Sequence, residues 1–182
     1  MKKIVILTIT AMVLTSGAFA QKKIEFGVKA GMNMAQEYTD DGSTNSRVAF
    51  HAGVFAEFFI SNRFGLQPEL QYSMQGGKDK EGTEKFDYVN LPVILKIYVL
   101  KRDLSIDVGA QPGYLLSAKR TGMGDVSDIF DNKFDVAVAL GASYKFADRF
   151  HVGLRYNIGA IKLVDRLNYR NRVSQLFIGI RL

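Results

Sequence analysis

The stretch Tyr88-Val-Asn-Leu-Pro-Val-Ile-Leu-Lys-Ile-Tyr-Val99 decides the fold of this chain. Its odd-numbered positions are all apolar, whereas Asn90, Pro92 and Lys96 are among its even-numbered positions. Successive side chains of a β-strand point to opposite faces, so the stretch predicts a strand with one unbroken apolar face and one mixed, mostly polar face. Its twelve residues exceed the usual length of a strand in a soluble protein and are enough to cross a bilayer at a tilt.

The same alternation recurs in seven further segments, so the sequence predicts eight strands. They span residues 24–33, 50–59, 64–75, 88–99, 104–117, 134–145, 150–158 and 175–182. Three prolines fall inside them, at Pro68, Pro92 and Pro112. Because proline has no backbone N–H to donate, each predicts either a bulge or a position near a rim.

Alternation alone leaves open which face points inward, because the apolar face lines the interior of a soluble lipocalin-type barrel and covers the exterior of a membrane barrel. The connections favour the membrane barrel. Tight turns at 61–63, 101–103 and 147–149 alternate with long polar segments at 35–48, 76–87, 119–133 and 160–172. Aromatic residues of the apolar parity also gather at strand ends, as interfacial girdles do; they are Phe64, Tyr72, Phe134, Tyr144, Phe150 and Tyr156.

Charged residues of both signs share the polar parity. They are the acids Glu25, Glu57, Glu69 and Asp107 and the bases Lys29, Lys96, Lys145 and Arg155. Burying such charges without partners is costly, so four acids and four bases predict a paired network inside a narrow lumen. The predicted fold is therefore all-β, an eight-stranded antiparallel up-and-down transmembrane β-barrel with the polar face inside, as in the OmpA/OmpX architecture.

The N-terminal residues predict export. Lys2 and Lys3 precede an apolar run over residues 4–14, and a small-residue site ends at Ala20. This pattern is typical of a secretory signal peptide over residues 1–20, whereas a retained helical anchor needs a longer apolar run. We expect the barrel domain to comprise residues 21–182 and to lie in the outer membrane of a Gram-negative cell.

Three motifs resemble one family. The quoted stretch, Gly109-Ala-Gln-Pro-Gly-Tyr-Leu-Leu116 and Asp135-Val-Ala-Val-Ala-Leu-Gly-Ala142 resemble the PorT-like outer-membrane β-barrel proteins of Bacteroidota, which are small porin-family barrels. The resemblance covers essentially the whole chain after the leader. It implies an architecture and a cellular address rather than a reaction, although the family includes a component tied to protein secretion. Asn90 stands where the family often carries an acid, so Lys96 is expected to lack that partner.

Composition and motifs offer little chemistry. The chain has no cysteine, so disulfides and thiolate chemistry are excluded, and a net charge of +6 that is scattered along the chain does not suggest nucleic acid. The acidic segment 40–45 and the group Asp125, Asp128 and Asp131 lack the spacing of an EF-hand loop, so we expect solvated turns and no metal site. We predict no cofactor.

Two histidines are the candidates for catalysis. His51 and His151 fall on the lumen parity, where they could meet Asp107 and Ser105. A catalytic role needs partners in fixed positions, which the sequence does not supply. We therefore interpret both as hydrogen-bonded lumen residues and predict that the protein is not an enzyme.

The last long loop is basic. Lys162, Arg166, Arg170 and Arg172 lie near the predicted outer rim with only Asp165 against them. Cations there would face the phosphates of lipopolysaccharide, and Arg binds phosphate in bidentate fashion. The alternative is an ordinary basic loop.

Three functions remain open. The first is a monomeric structural, interaction or secretion-associated barrel that is filled by its own side chains and presents loops to a partner, because eight strands leave an interior only wide enough for side chains. The second is a narrow channel or transporter for small solutes, and the third is a lipid-modifying enzyme of the outer membrane. Conductance in a planar bilayer separates the first from the second.

Overall fold

The computed structural model describes residues 24–39, 42–43, 45–78, 82–122, 124–127, 133–159 and 170–182. The predicted signal peptide lies outside these residues. Within them, no helix has the length and apolar character needed to span a membrane. The strands are β1 (Ile24–Thr39), β2 (Gly42–Ser43), β3 (Asn45–Phe59), β4 (Phe64–Gln75), β5 (Gly77–Lys78), β6 (Glu84–Asn90), β7 (Val93–Leu100), β8 (Leu104–Arg120), β9 (Gly124–Asp125), β10 (Phe134–Lys145), β11 (Phe150–Gly159) and β12 (Arg170–Arg181).

The sheet closes on itself because the first long strand pairs on both of its edges. Ala30 of β1 lies opposite Ala52 of β3 on one side and opposite Ile178 of β12 on the other. The remaining wall follows chain order, and β6 and β7 together occupy one position in the ring between β4 and β8. This confirms the predicted eight-stranded antiparallel barrel.

The strand predicted over residues 88–99 is interrupted in its middle. β6 ends at Asn90 and β7 begins at Val93, because Pro92 has no N–H to continue the ladder. Backbone N–H groups across the break still find acceptors: Glu69 donates to the carbonyl of Pro92 and Leu91 donates to that of Pro112, both at 2.8 Å. Pro68, Pro92 and Pro112 therefore lie side by side in the middle of neighbouring strands. The alternative that these prolines mark positions near a rim of the barrel is excluded.

The two faces of the wall divide as the alternation predicts. Val93 and Leu154 of the apolar parity are 44% and 63% exposed, whereas Gln71 of the polar parity is fully buried. The six aromatic residues assigned to the girdles are all on the exposed face. The barrel therefore has a polar interior and an apolar outer surface, and the lipocalin-type alternative is wrong.

Several strands extend further than predicted at the end of the barrel that carries the long connections. Most of segment 35–48, predicted as a loop, belongs to β1 and β3, where Ala35 lies opposite Arg47. Backbone pairing needs no apolar face, so the hairpin continues after the hydrophobic alternation has stopped. The 16 residues of β1 exceed the 9–11 residues or so that cross a bilayer.

An apolar cluster lies at the same end of the lumen. The ladder between β6 and β8 shifts between Asp87 and Tyr88, so that Leu115 and Ala118 both turn inward. They pack with Phe86 and Tyr88, and Val126 packs against this group, its N–H donating to the carbonyl of Ala118 at 2.9 Å. We call Phe86, Tyr88, Leu115, Ala118 and Val126 the apolar cap.

Candidate functional site

The centre of the lumen is occupied by one carboxylate between two cations. Arg155 donates two hydrogen bonds to Glu69, at 2.9 and 2.8 Å, and Lys29 forms an ion pair with the same carboxylate. Gln67 also donates to Glu69 at 2.7 Å. All four side chains are buried. We call Lys29, Glu69 and Arg155 the central triad, and because β4 and β11 stand on opposite walls, it bridges the lumen.

A second group lies towards the end of the short turns. Arg181 forms ion pairs with Glu25 and Glu57, each at 3.0 Å, and the hydroxyl of Tyr98 donates to Glu57. Arg181 was not among the predicted network residues, although it stands on the polar parity of the last strand. Its place on the polar parity of the last predicted strand was the feature of the sequence from which its lumen position could have been predicted.

A third group is local to neighbouring strands. Lys96 lies opposite Asp107 in the ladder between β7 and β8, at 3.5 Å between Nζ and Oδ2, and it donates to Ser143 at 2.6 Å. Ser105 donates to Asp107 at 2.6 Å, and Ser143 donates to the other carboxylate oxygen at 3.1 Å. Asp107 thus supplies the partner for Lys96 that position 90 does not.

Lys145 differs from the other predicted bases. Its ammonium lies 3.3 Å from Asp103, and both side chains are partly exposed. The acid is at the start of β8 and the lysine is at the end of β10, so this pair belongs to the rim of the short-turn end. The expectation that Lys145 joins a lumen network is therefore wrong.

The two histidines belong to an aromatic layer around the central triad. Phe177 is the middle of this layer: Lys29 Nζ lies 4.7 Å and Arg155 Cζ 5.5 Å from its ring centroid. His51 Nδ1 is 2.7 Å from Asn33 Oδ1, as expected of a hydrogen-bonded residue. His151 instead packs edge-on against Phe55 and Phe177, and neither of its ring nitrogens has a hydrogen-bond partner among the described groups.

This arrangement does not form a catalytic triad. Ser105 and Asp107 bond to each other and to Ser143, and no ring nitrogen of His51 or His151 bonds to either of them. In the described part of the chain, no group of three or more histidine or carboxylate side chains is placed to hold a metal. Most of the charged side chains in the lumen are paired with an opposite charge, and aromatic rings fill the space around them.

The basic loop falls mostly beyond the described residues. Lys162 and Arg166 lie outside them, and the side chain of Arg170 is not described. Arg172 is half-buried on β12, where it lies opposite Gln36 on one side and Ile158 on the other. The predicted contact with lipopolysaccharide therefore remains a prediction.

Comparison with known proteins places this barrel among outer-membrane proteins. The family model described as "Outer membrane protein beta-barrel domain" matches residues 19–165. Neisserial surface protein A (NspA) is similar in structure, with a TM-score of 0.63 at 18% identity over 86% of this chain and 97% of NspA. Ail of Yersinia pestis gives a TM-score of 0.58 at 15% identity, over 87% and 98% of the two chains. At these identities the likeness shows the fold alone. No curated protein sequence matches the chain.

Proposed function

The chain belongs to the outer membrane protein β-barrel domain family, and we propose that within it this protein is a closed, non-conducting structural or interaction barrel that presents its long-loop end to partners. A secretion-associated role is one form of such an interaction. The proposal rests on one observation, the obstruction of the lumen along its length.

Three layers support this obstruction. Arg181 fills the short-turn end together with Glu25 and Glu57. The central triad crosses the middle of the barrel, and the apolar cap covers the long-loop end. Eight strands enclose little more than the volume of their own side chains, so these layers leave no wide aqueous path. This argues against the alternative of a channel or transporter.

Planar-bilayer conductance tests the proposal. We expect the purified barrel to give no stable current steps. A matched variant with Glu69→Ser, Arg155→Ser, Phe86→Ala and Arg181→Ser removes groups from all three layers and should show a measurable leak. Stable steps of porin size from the unmodified barrel would refute a closed lumen.

Lipopolysaccharide is the partner that charge favours. Lys85 and Lys119 are exposed and lie directly opposite each other near the long-loop end, although Asp125 flanks Lys119 on its other side. Like charges in opposite positions destabilise a sheet, and an anionic headgroup would relieve the repulsion. Lys162, Arg166, Arg170 and Arg172 add positive charge to the loop at the same end.

We also propose the finer address that the sequence suggests. The motifs around Asn90, Gln111 and Asp135 support a PorT-like barrel of Bacteroidota, monomeric and exported through a signal peptide that is cleaved after Ala20. N-terminal sequencing of the protein recovered from outer membranes tests the cleavage, and the first residue should be Gln21.

A further inference from the structure

A small polar chamber lies between the charged layers and the apolar cap. Its volume of about 10 Å³ is room for about one water molecule or one small ion. Six of the side chains that line it are polar, and they are Gln75, Tyr88, Asn90, Gln111, Asp135 and Asn157.

Asp135 is the carboxylate in this chamber, and it lacks a counter-charge. Only 9% of the residue is exposed, and among the described residues it forms no ion pair. Glu25, Glu57, Glu69 and Asp107, by contrast, each have a cation within 3.5 Å. Burial of an ionised carboxylate without compensation is strongly unfavourable. The chamber therefore needs a positive charge or a proton.

Several oxygen atoms are available beside this carboxylate. Asp135 Oδ1, Gln111 Oε1 and Asn157 Oδ1 are all buried, and none has a hydrogen-bond partner in the described part of the chain. Small residues make room for them, since Asp135 lies opposite Gly113 and Ala137 lies opposite Gln111. A Cβ atom at position 113 would contact Asn90 Oδ1, so glycine keeps that oxygen in the chamber.

We propose that this chamber binds one monovalent cation such as Na⁺, with Asp135 neutralising its charge and the amide oxygens of Gln111 and Asn157 as further ligands. Hard cations prefer oxygen ligands, and carboxylate and amide oxygens are both suitable. A monovalent ion balances the single carboxylate. A divalent ion would leave excess positive charge in the chamber.

The test measures sodium-linked stability of the full mature chain in neutral phosphatidylcholine vesicles. Urea unfolding is followed while NaCl replaces choline chloride at constant total salt. If sodium binds only the folded barrel, the unfolding equilibrium constant decreases by the factor 1 + [Na⁺]/Kd. We expect this decrease in the unmodified protein and none in Asp135→Asn. Asp103→Asn removes a carboxylate from the rim and should keep the full sodium dependence.

Two results would overturn the site. One is an unfolding equilibrium constant of the unmodified barrel that does not change with sodium concentration. This result would mean that the chamber holds water beside a protonated carboxyl group. The other is an equal sodium response in the Asp135→Asn variant. If that variant fails to fold, Gln111→Leu, which removes only an amide ligand, decides the matter: a reduced sodium response supports the site, and a full response refutes it. Neither result bears on the conductance test above.

Discussion

Arg155 and Glu69 join opposite walls of the barrel through two parallel hydrogen bonds of 2.9 and 2.8 Å. They are 86 residues apart in sequence and stand on β11 and β4. The planar guanidinium matches the two carboxylate oxygens, which fixes both orientation and distance. Lys29 shares the same carboxylate, so the charges of the central triad are unequal: two cations face one anion.

This excess of positive charge predicts which of two substitutions destabilises the barrel more. Glu69→Gln leaves Lys29 and Arg155 buried beside each other without an anion, and it should destabilise the barrel by about 3–5 kcal/mol. Arg155→Met leaves a neutral Lys29–Glu69 pair and should cost less. Urea unfolding in lipid vesicles measures both free energies. A larger loss for Arg155→Met would contradict the shared-carboxylate arrangement.

Substitution on the outer face tests the lipid-facing assignment. Val93 lies near the middle of the wall, so Val93→Arg should reduce the free energy of unfolding by about 2–4 kcal/mol in a bilayer. Gln71→Ala is the lumen control, because the side-chain oxygen and nitrogen of Gln71 have no hydrogen-bond partner among the described groups. It should have a much smaller effect. A harmless Val93→Arg would reverse the assignment of the faces.

One glycine makes room for a lumen histidine. A Cβ atom at Gly179 would press into the ring of His151, with the ring Nδ1 only 3.0 Å away. Gly179→Ala should therefore destabilise the barrel by about 1–3 kcal/mol, as overpacking does. The double variant Gly179→Ala with His151→Ser should recover part of the loss in the same unfolding assay. Additive losses in the double variant would show that the two residues do not compete for space.

Charge removal tests the proposed partner. Replacing Lys162, Arg166, Arg170 and Arg172 with Gln removes four cations, each worth up to about 1 kcal/mol near an anionic surface. We expect weaker association with lipopolysaccharide vesicles, most visibly at low salt, and unchanged folding in neutral lipid. A second variant, Lys85→Gln with Lys119→Gln, asks whether the strand lysines contribute. Unchanged association in both variants would remove lipopolysaccharide as the partner.

Orientation in the membrane can be read from a tag. The connection between β8 and β9 is exposed at Gly122 and Gly124, and both have positive φ angles suited to a turn. Short turns of such barrels face the periplasm, so an epitope inserted between these glycines should be accessible to antibody on intact cells. A tag inserted at Asp148, in a short turn, should be detected only after permeabilisation. The opposite pattern would invert the topology.

Most of the fold could be predicted from the alternation of apolar and polar residues along the sequence. Residues such as Val93 and Gln71 lie on the faces that their parity predicts, because a closed sheet with lipid outside allows one arrangement of its two faces. Parity also placed Glu25, Lys29, Glu57, Glu69, Lys96, Asp107 and Arg155 inside. It could not pair them, since contacts across a lumen depend on strand stagger and tilt, which are properties of the closed barrel.

Other features could not be derived from parity. The register shift beside Tyr88 turns both Leu115 and Ala118 inward, and a strict alternation assigns them to opposite faces. Parity predicts Lys145 to be a lumen residue, but it lies close enough to the turn to form an ion pair with Asp103. His151 reads as a polar lumen residue, yet its neighbours are the rings of Phe55 and Phe177. Each case depends on local backbone geometry or on strands distant in the sequence.

The distribution of the lumen charges also bears on how the protein assembles. The first three long strands bring the acids Glu25, Glu57 and Glu69 with only one buried base among their described residues, Lys29, and the final two bring the bases Arg155 and Arg181. A nascent sheet that has not yet closed would therefore carry negative charge towards its leading edge and positive charge towards its trailing edge. Attraction between those edges favours joining β12 to β1 of the same chain, and the neutralised interior exists only once that seam has formed.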